Sequence, residues 1–186
     1  MPDQLTEDPV LGMRSRFWEA AGDDGTPVLH VETWVDPGGG VTPHVHPVLE
    51  ERFEVLEGTP QFLSGRRWET VQAGTTVVVP PGTRHAFRNR SGEVAHFVCR
   101  VTPPSTLEAF LTDAAAMSRA GCITRRALPR GLDGLLQAAV LAHHHREMVT
   151  LLAPLPPPPV QRLVIPLLAR AGARRGHRPG SLGDRR

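Results

Sequence analysis

The chain has 186 residues, which suits one folded domain with extensions and allows a sizeable hydrophobic core. Its formal net charge is +2, but residues 1–104 carry −5 and residues 105–186 carry +7. A basic half can attract nucleic acid or anionic lipid. Here the arginines are scattered among helical and proline-rich segments, which favours a solvated surface, so we expect neither nucleic acid nor a membrane as a partner.

The residue types that are missing exclude several chemistries. The chain has no lysine and no tyrosine, so Schiff-base lysine chemistry, a pyridoxal phosphate anchor and a tyrosine acid are excluded. Its two cysteines, Cys99 and Cys122, form no disulfide framework. The first ten residues lack the basic and then apolar pattern of a signal peptide, and no apolar run reaches the roughly 18 residues that span a bilayer. We therefore expect a cytoplasmic protein.

Short strands are predicted over residues 14–104. Strand pairs are expected around the turn at 22–27, GDDGTP, and around the Ser-Gly pairs at 64–65 and 91–92. Glycine and proline turns separate the strands, and no helical pattern lies between them. This spacing indicates an all-β core in the form of an antiparallel sandwich or barrel.

The pattern becomes helical after residue 104. Ser105 and Glu108 fit a capping box at the start of a first helix. A second amphipathic helix is predicted from about residue 132 to residue 152. Prolines 156–159 are expected to be extended, and a short helix over 160–171 is expected to tolerate its internal proline only with a kink.

Two histidines and one glutamate form the first candidate site. Residues two apart in a strand point to the same face, so His44 and His46 project together, about 7 Å apart along the strand. In the next strand the predicted inward residues are Glu51, Phe53 and Val55. This phase directs one carboxylate into an otherwise apolar interior, which is costly unless the group is paired or binds a cation. The pattern therefore suggests a metal site.

A third histidine follows the second apolar strand. His85 comes just after Pro80, Pro81 and Gly82, which fix a tight corner that can return a histidine toward the mouth of a barrel. Three imidazoles and one carboxylate suit Fe, Mn, Ni, Cu or Zn and do not choose among them. An octahedral ion would keep two open positions, for a bidentate substrate or for substrate and dioxygen.

The first of these segments resembles the first motif of the cupin family. Residues 38–58 read GGGVTPHVHPVLEERFEVLEG. Their spacing is a glycine, five residues, His44, one residue, His46, four residues, Glu51, six residues and a glycine. Glu50 is the alternative carboxylate, but both the strand phase and the gap to the final glycine favour Glu51.

The second segment resembles the second cupin motif. Residues 74–89 read GTTVVVPPGTRHAFRN, in which His85 is followed by three residues and Asn89. We expect Asn89 to hold a turn through bonds from its side chain to the backbone. Fifteen residues separate the two motifs, which is typical of compact microbial cupins of the quercetinase-like type.

The resemblance implies a small antiparallel jelly-roll β-barrel with a metal site inside, usually in a homodimer. It implies one divalent transition metal per chain, with Fe(II) favoured and Mn, Ni, Cu or Zn compatible, and no residues for an organic cofactor. The metal ligands that it implies are His44, His46, Glu51 and His85. The predicted segments are an N-terminal arm at 1–13, the cupin barrel at 14–104, a helical C-terminal extension at 105–171 and a basic, disordered tail at 172–186.

Other polar residues have simpler interpretations. His143, His144 and His145 would point about 100° apart on a helix, so they cannot converge on one ion, and a solvated helix surface is expected. Cys99 could line the pocket, although a small buried core thiol is favoured. Arg84 and Arg88 flank His85 and could meet an anionic substrate, but a surface role is favoured for both.

The function expected from this set is a metal-dependent enzyme that acts on a small organic molecule. Fe(II)-type dioxygenase or oxidoreductase chemistry leads, with Glu51 as a catalytic residue that shuttles a proton. An isomerase, a decarboxylase or a polyketide-cyclase-like enzyme is the alternative, because the same ligands serve all of them. A non-catalytic, metal-containing protein that binds a small molecule is the second alternative.

Overall fold

A computed structural model describes residues 5–22, 24–124, 128–152 and 156–182. Strands occupy the first half of the chain and helices most of the second, with one short strand between the last two helices. In chain order the elements are β1 (Thr6–Asp8), β2 (Met13–Ala21), β3 (Pro27–Val35), β4 (His44–Val45), β5 (Glu50–Glu57), β6 (Gln61–Ser64), β7 (Arg67–Thr70), β8 (Thr76–Val79), β9 (His85–Arg88), β10 (Ala95–Thr102), α1 (Leu107–Arg119), α2 (Gly131–His144), β11 (Thr150–Leu151) and α3 (Pro158–Arg174).

The strands form two sheets in which neighbours pair antiparallel. Sheet A has the order β1-β2-β3-β10-β5-β8, and sheet B has the order β11-β4-β9-β6-β7. The predicted antiparallel β core is confirmed. Within the described ranges no strand pairing joins one sheet to the other, so the closed jelly-roll barrel stays a prediction.

Four phenylalanines join the two sheets. Phe53 and Phe97 come from sheet A, and Phe62 and Phe87 come from sheet B. Their ring centroids lie 4.9 to 6.1 Å apart in tilted or edge-to-face arrangements. Such aromatic pairs add to the stabilisation that comes from burying their area. The hydrophobic core therefore lies between the inner faces of the sheets.

The first two helices depart from the sequence prediction at their ends. The N-cap of α1 is Thr106, which makes no side-chain capping bond, and its hydroxyl lies 2.8 Å from Nδ1 of His145 instead. The hydroxyl of Ser105 accepts a hydrogen bond of 3.2 Å from the amide of Leu107. Because the N-cap is Thr106 and the described residues show no bond between Ser105 and Glu108, the predicted reciprocal capping box is not formed. Helix α2 ends at His144, well short of residue 152, because the chain turns there and pairs as β11 with β4.

The third helix begins inside the proline run. Pro158 and Pro159 lie in its first turn, where a missing N–H costs nothing because that group has no helical acceptor. The prediction of extended geometry for the whole run is therefore wrong for these two residues. Pro166 lies inside the helix. No helix in the described ranges is both long enough and apolar enough to cross a membrane.

Both chain ends make contacts in their described parts. Within the predicted arm, β1 pairs with β2. Within the predicted tail, α3 continues to Arg174. Beyond it, the carbonyl of Arg178 accepts a hydrogen bond from Gln137 Nε2, and the amide of Gly180 donates one to Asp113. Residues 1–4 and 183–186 lie outside the described residues, so the disorder predicted for the tail is not tested there.

Candidate metal centre

Both sheets contribute to one cluster of four polar side chains. His44 on β4 is paired with His85 on β9, His46 follows β4, and Glu51 projects from β5 of sheet A. One potential ligand atom from each of the four residues lies within 4.8 Å of the others. His46, Glu51 and His85 are buried, with 3%, 6% and 2% of their surface exposed. The cluster could hold a metal ion.

The phase of strand β5 decides which glutamate enters the cluster. Glu51 faces the interior, as its alternation with Phe53 predicts, and both residues are buried. Glu50 lies on the other face, where its carboxylate accepts a hydrogen bond of 2.7 Å from Arg52 Nε. The carboxylate of the cluster therefore belongs to Glu51.

Backbone carbonyl groups orient all three imidazoles. Each Nδ1 lies against a carbonyl oxygen: His44 against Thr42 at 2.9 Å, His46 against Met148 at 2.8 Å and His85 against Thr83 at 2.9 Å. A carbonyl oxygen can only accept, so each Nδ1 carries the proton and donates it. In the neutral imidazole the lone pair then resides on Nε2, which is the arrangement that metal-ligating histidines adopt.

One close contact in the cluster needs a proton or a cation. Nε2 of His85 lies 2.7 Å from Oε2 of Glu51, and Nε2 of His46 lies 3.7 Å from Oε1. Both atoms of the shorter contact are buried and make no hydrogen bond of normal geometry. Two lone pairs at this distance repel each other unless positive charge lies between or beside them. The donor set therefore fits a bound divalent metal.

The pKa values of the cluster follow from burial and from mutual charge. Burial lowers the pKa of His44 to about 3, assisted by the charges of His85 and His46. Burial also lowers the pKa of His46. Burial opposes charge on His85 and Glu51, but their close contact and mutual attraction outweigh it, so the pKa of His85 is raised and that of Glu51 is lowered. Both directions favour the charged forms of these two residues.

The cluster opens into a cavity of about 210 Å³. Most side chains along its wall are apolar and come from the inner faces of both sheets. Its lining residues outside the cluster that carry a polar group in the side chain are Thr6, Asp8, Ser15, Thr33, Thr42 and Cys99.

The C-terminal helices supply the rest of this wall, which the sequence did not predict. Leu107, Phe110 and Leu111 line the cavity from α1, and Leu141 lines it from α2. The residue that follows β11, Leu152, also lines it and donates its amide to the carbonyl of Pro43. No motif signalled this role, because apolar helix residues look alike in sequence whether they face a core or a cavity.

Two of the simpler interpretations are confirmed. The amide of Asn89 donates to the carbonyls of Val35 and Glu93, and its oxygen accepts from Ser91, so this side chain holds a turn. Cys99 is buried with 3% exposed and also lines the cavity, where its sulfur lies 4.0 Å from Glu51 Oε1.

The arginines beside His85 have partners away from the cavity. Arg84 donates a hydrogen bond to the carbonyl of Gly65. Arg88 lies over the ring of Trp68, with its guanidinium carbon 3.8 Å from the ring centroid. Neither arginine lines the cavity, which agrees with the surface role that the sequence favoured.

The interpretation of the histidine run is wrong for one of its members. His145 is 2% exposed and lies against Phe110 with its ring centroid 5.4 Å away. Its position at the end of α2 turns it toward α1, whereas a continued helix would have left it on the surface. It lies outside the four-residue cluster.

Comparisons with known proteins give one family match and a set of similar solved structures. The family model of the cupin domain matches residues 32–101, and no curated protein matches the chain. Similar solved structures include a cupin 2 conserved barrel domain protein from Rhodopseudomonas palustris, with 26% identity over 50% of this chain and 61% of that chain and a TM-score of 0.43. The polyketide cyclase RemF from Streptomyces resistomycificus shows 27% identity over 50% of this chain and 68% of that chain, with a TM-score of 0.42.

A third similar structure is KdgF from Halomonas sp., with 19% identity over 55% of this chain and 87% of that chain and a TM-score of 0.47. TM-scores below 0.5 say nothing of a shared activity. The family match covers both histidine-containing motifs and the strands that position them. Residues 32–101 are therefore identified as a cupin domain.

Proposed function

We propose that this chain is a metal-dependent cupin enzyme that acts on a small organic molecule. Three imidazoles and the Glu51 carboxylate converge in the wall of a largely apolar cavity, and this convergence is the observation that carries the proposal. His44, His46, Glu51 and His85 would hold one divalent ion, with Fe(II) favoured. The proposed setting is a closed jelly-roll barrel. The homodimer that the resemblance implies stays a prediction, which light scattering can check.

A bound divalent ion would supply Lewis acidity and, for iron, the capacity to engage dioxygen. The residues around it would do the remaining work. The carbonyls of Thr42, Thr83 and Met148 hold the imidazoles in one orientation. The apolar walls exclude water, which strengthens electrostatic interactions inside the cavity. Glu51 Oε2, which is buried and without a normal hydrogen bond, is placed to accept a proton from a substrate.

Metal binding is tested first. Protein purified without added metal is analysed for metal content and then titrated anaerobically with Fe(II), Mn²⁺ and Zn²⁺ while its thermal unfolding is followed. A ligand at 100 times its Kd stabilises the folded state by about 2.7 kcal/mol, so a rise in Tm is expected. Glu51→Gln and His85→Ala should abolish the rise. Glu50→Gln is the matched control, because Glu50 pairs with Arg52 outside the cluster. This variant should keep the rise in Tm.

Turnover is tested second. The Fe(II)-loaded protein is screened for oxygen uptake with phenols, diketones and thiols, and uptake that Glu51→Gln removes supports the dioxygenase. Product formation without oxygen uptake would favour an isomerase, a decarboxylase or a cyclase, which need the same ligands. Full metal occupancy without any turnover would favour the non-catalytic binder. A protein that takes up no metal at neutral pH would contradict the proposal.

A further inference from the structure

A second set of polar side chains lines the cavity away from the four-residue cluster. Thr6, Ser15 and Thr33 lie on β1, β2 and β3, paired across the sheet as Thr6 with Ser15 and Ser15 with Thr33. All three side chains line the cavity. Adjacent strands at one register position therefore present a row of hydroxyl groups on the inner face of sheet A.

These hydroxyl groups keep unused hydrogen-bonding capacity. Ser15 and Thr33 are 5% and 3% exposed, and their oxygens lie 3.4 Å apart. Within the described part of the chain this is the one hydrogen bond that either hydroxyl makes. Each hydroxyl offers one donor and two acceptor lone pairs, so one O–H and several lone pairs remain for a ligand.

The strand register of sheet A shows that this row is separated from the four-residue cluster. Glu51 pairs with Val101, and Val101 pairs with Leu29. Thr33 lies four residues beyond Leu29 on β3, which is ~13 Å along the strand direction. Polar groups therefore stand at two separated places along the lining of one cavity.

The rest of the cavity wall is largely apolar. Phe53, Phe87 and Phe97 line it from the sheets, and Phe110 and Leu111 line it from α1. Burying such a surface against an apolar ligand is favourable by about 25 cal/mol per Å².

The charge beside the hydroxyl row disfavours an anionic group at that place. Asp8 lies two residues from Thr6 on β1 and lines the cavity, so an anionic group there would meet a carboxylate. Among the described lining residues none is an arginine, and the chain has no lysine. A cavity of about 210 Å³ is also smaller than the roughly 300–1,000 Å³ typical of drug-sized ligands.

We propose that the cavity binds an uncharged, mainly apolar molecule of about bicyclic size that has oxygen at both ends. One end carries an oxygen donor pair directed at the metal cluster, and this part rests on the proposed function. The other end carries a hydroxyl or carbonyl group that hydrogen-bonds to Ser15 and Thr33. The apolar body packs against the phenylalanines of the sheets and against Phe110 of α1.

Two matched probes test this ligand class. The first is 2-acetyl-1-naphthol, whose adjacent hydroxyl and ketone can chelate a metal, and the second carries one more hydroxyl on its remote ring. Their binding to Zn²⁺-loaded and to metal-free protein is measured by calorimetry, since zinc avoids redox chemistry. Both should bind, and glucose 6-phosphate at the same concentration should not.

The hydroxyl row is tested by removing one hydroxyl at constant shape. Thr33→Val should weaken binding of the second probe roughly fivefold, as expected for one neutral hydrogen bond, and leave the first probe unchanged. Ser15→Ala is the second variant, should Thr33→Val fail to fold. Thr76→Val is the matched control, because Thr76 is exposed on β8 and does not line the cavity.

The outcomes separate this inference from the proposed function. Tighter binding of glucose 6-phosphate than of either naphthol would overturn the ligand class. An equal effect of Thr33→Val on both probes would overturn the role of the hydroxyl row. Affinities that do not respond to Zn²⁺ would count against the metal function alone, because the difference between the two probes in Thr33→Val is measured in metal-free protein as well.

Discussion

The Nδ1 atom of His46 lies 2.8 Å from the carbonyl oxygen of Met148, a residue 102 positions further along the chain. The bond orients a cluster imidazole from outside the cupin domain. Met148 is placed there because β11 pairs with β4, with Thr150 opposite Val45 and Leu151 opposite His44. The C-terminal extension therefore takes part in positioning the cluster and does not merely follow the domain.

Loosening β11 should weaken metal binding. Leu152→Pro removes the amide that donates to the carbonyl of Pro43 at 3.1 Å, which frees the segment that carries Met148. We expect Zn²⁺ affinity to fall roughly tenfold, as is common when a group that orients a ligand is lost. The measurement is competition with a chelating dye. Leu152→Ala keeps the amide while removing the side chain, so equal affinities in the two variants would show that β11 does not position His46.

The stability of the protein should fall in mild acid because of His145. Burial, with the charge of His144, lowers the pKa of His145 to about 4, whereas the unfolded chain has the ordinary value near 6.5. As the pH falls from about 6.5 to 4, the unfolded chain binds a proton that the folded chain does not bind, so the free energy of unfolding decreases.

Replacing this histidine should remove that part of the pH dependence. In His145→Gln the loss of stability between pH 6.5 and pH 4.5 should be smaller than in the wild type by on the order of 1 kcal/mol. Urea unfolding of metal-free protein at several pH values measures the difference. The variant keeps Thr106 and Phe110, which contact His145 in the wild type. Parallel curves for the two proteins would show that His145 titrates normally in the fold.

Gly40 should tolerate no side chain. Its φ is +144°, and a Cβ there would lie 2.4 Å from the carbonyl oxygen of Phe87 and 2.6 Å from Cα of Arg88. Gly40→Ala would push the segment that leads to His44 away from β9, with an expected cost of about 3 kcal/mol. Gly92→Ala is the control, because no atom lies within 4 Å of its Cβ position. Urea unfolding should place the control within about 0.5 kcal/mol of the wild type.

The two cysteines should differ sharply in reactivity. Burial, together with the charge of Glu51, raises the pKa of Cys99 well above its ordinary value, and the thiolate is the reactive form. Cys122 is partly exposed. A disulfide reagent at pH 8 should therefore label one thiol per native chain and both after unfolding. In Cys122→Ser no native thiol should react, and rapid labelling of that variant would show that Cys99 is accessible.

Much of the candidate site could be predicted from sequence because its determinants are local. His44 and His46 share a face through the two-residue period of an extended chain. The same alternation places Glu51 and its neighbour Glu50 on opposite faces of β5. The turn around Gly82 sets where His85 emerges. Each of these relations depends on a few neighbouring residues, so spacing alone was sufficient to group the four side chains.

Other features depend on contacts between distant segments. The burial of His145 depends on its contacts with Thr106 and Phe110, and residue patterns within either helix do not encode those contacts. The apolar wall from α1 and α2 has the same sequence signature as an ordinary helix core.

The sequence by itself indicated a cupin domain through the resemblance of its two motifs. It also indicated the four potential metal ligands, because strand periodicity and turn residues act over short distances. The tertiary structure alone decided that Met148 orients His46 and that the C-terminal helices enclose the cavity. A backbone carbonyl has the same chemistry in every residue, so only the packing of the folded chain determines which one reaches an imidazole.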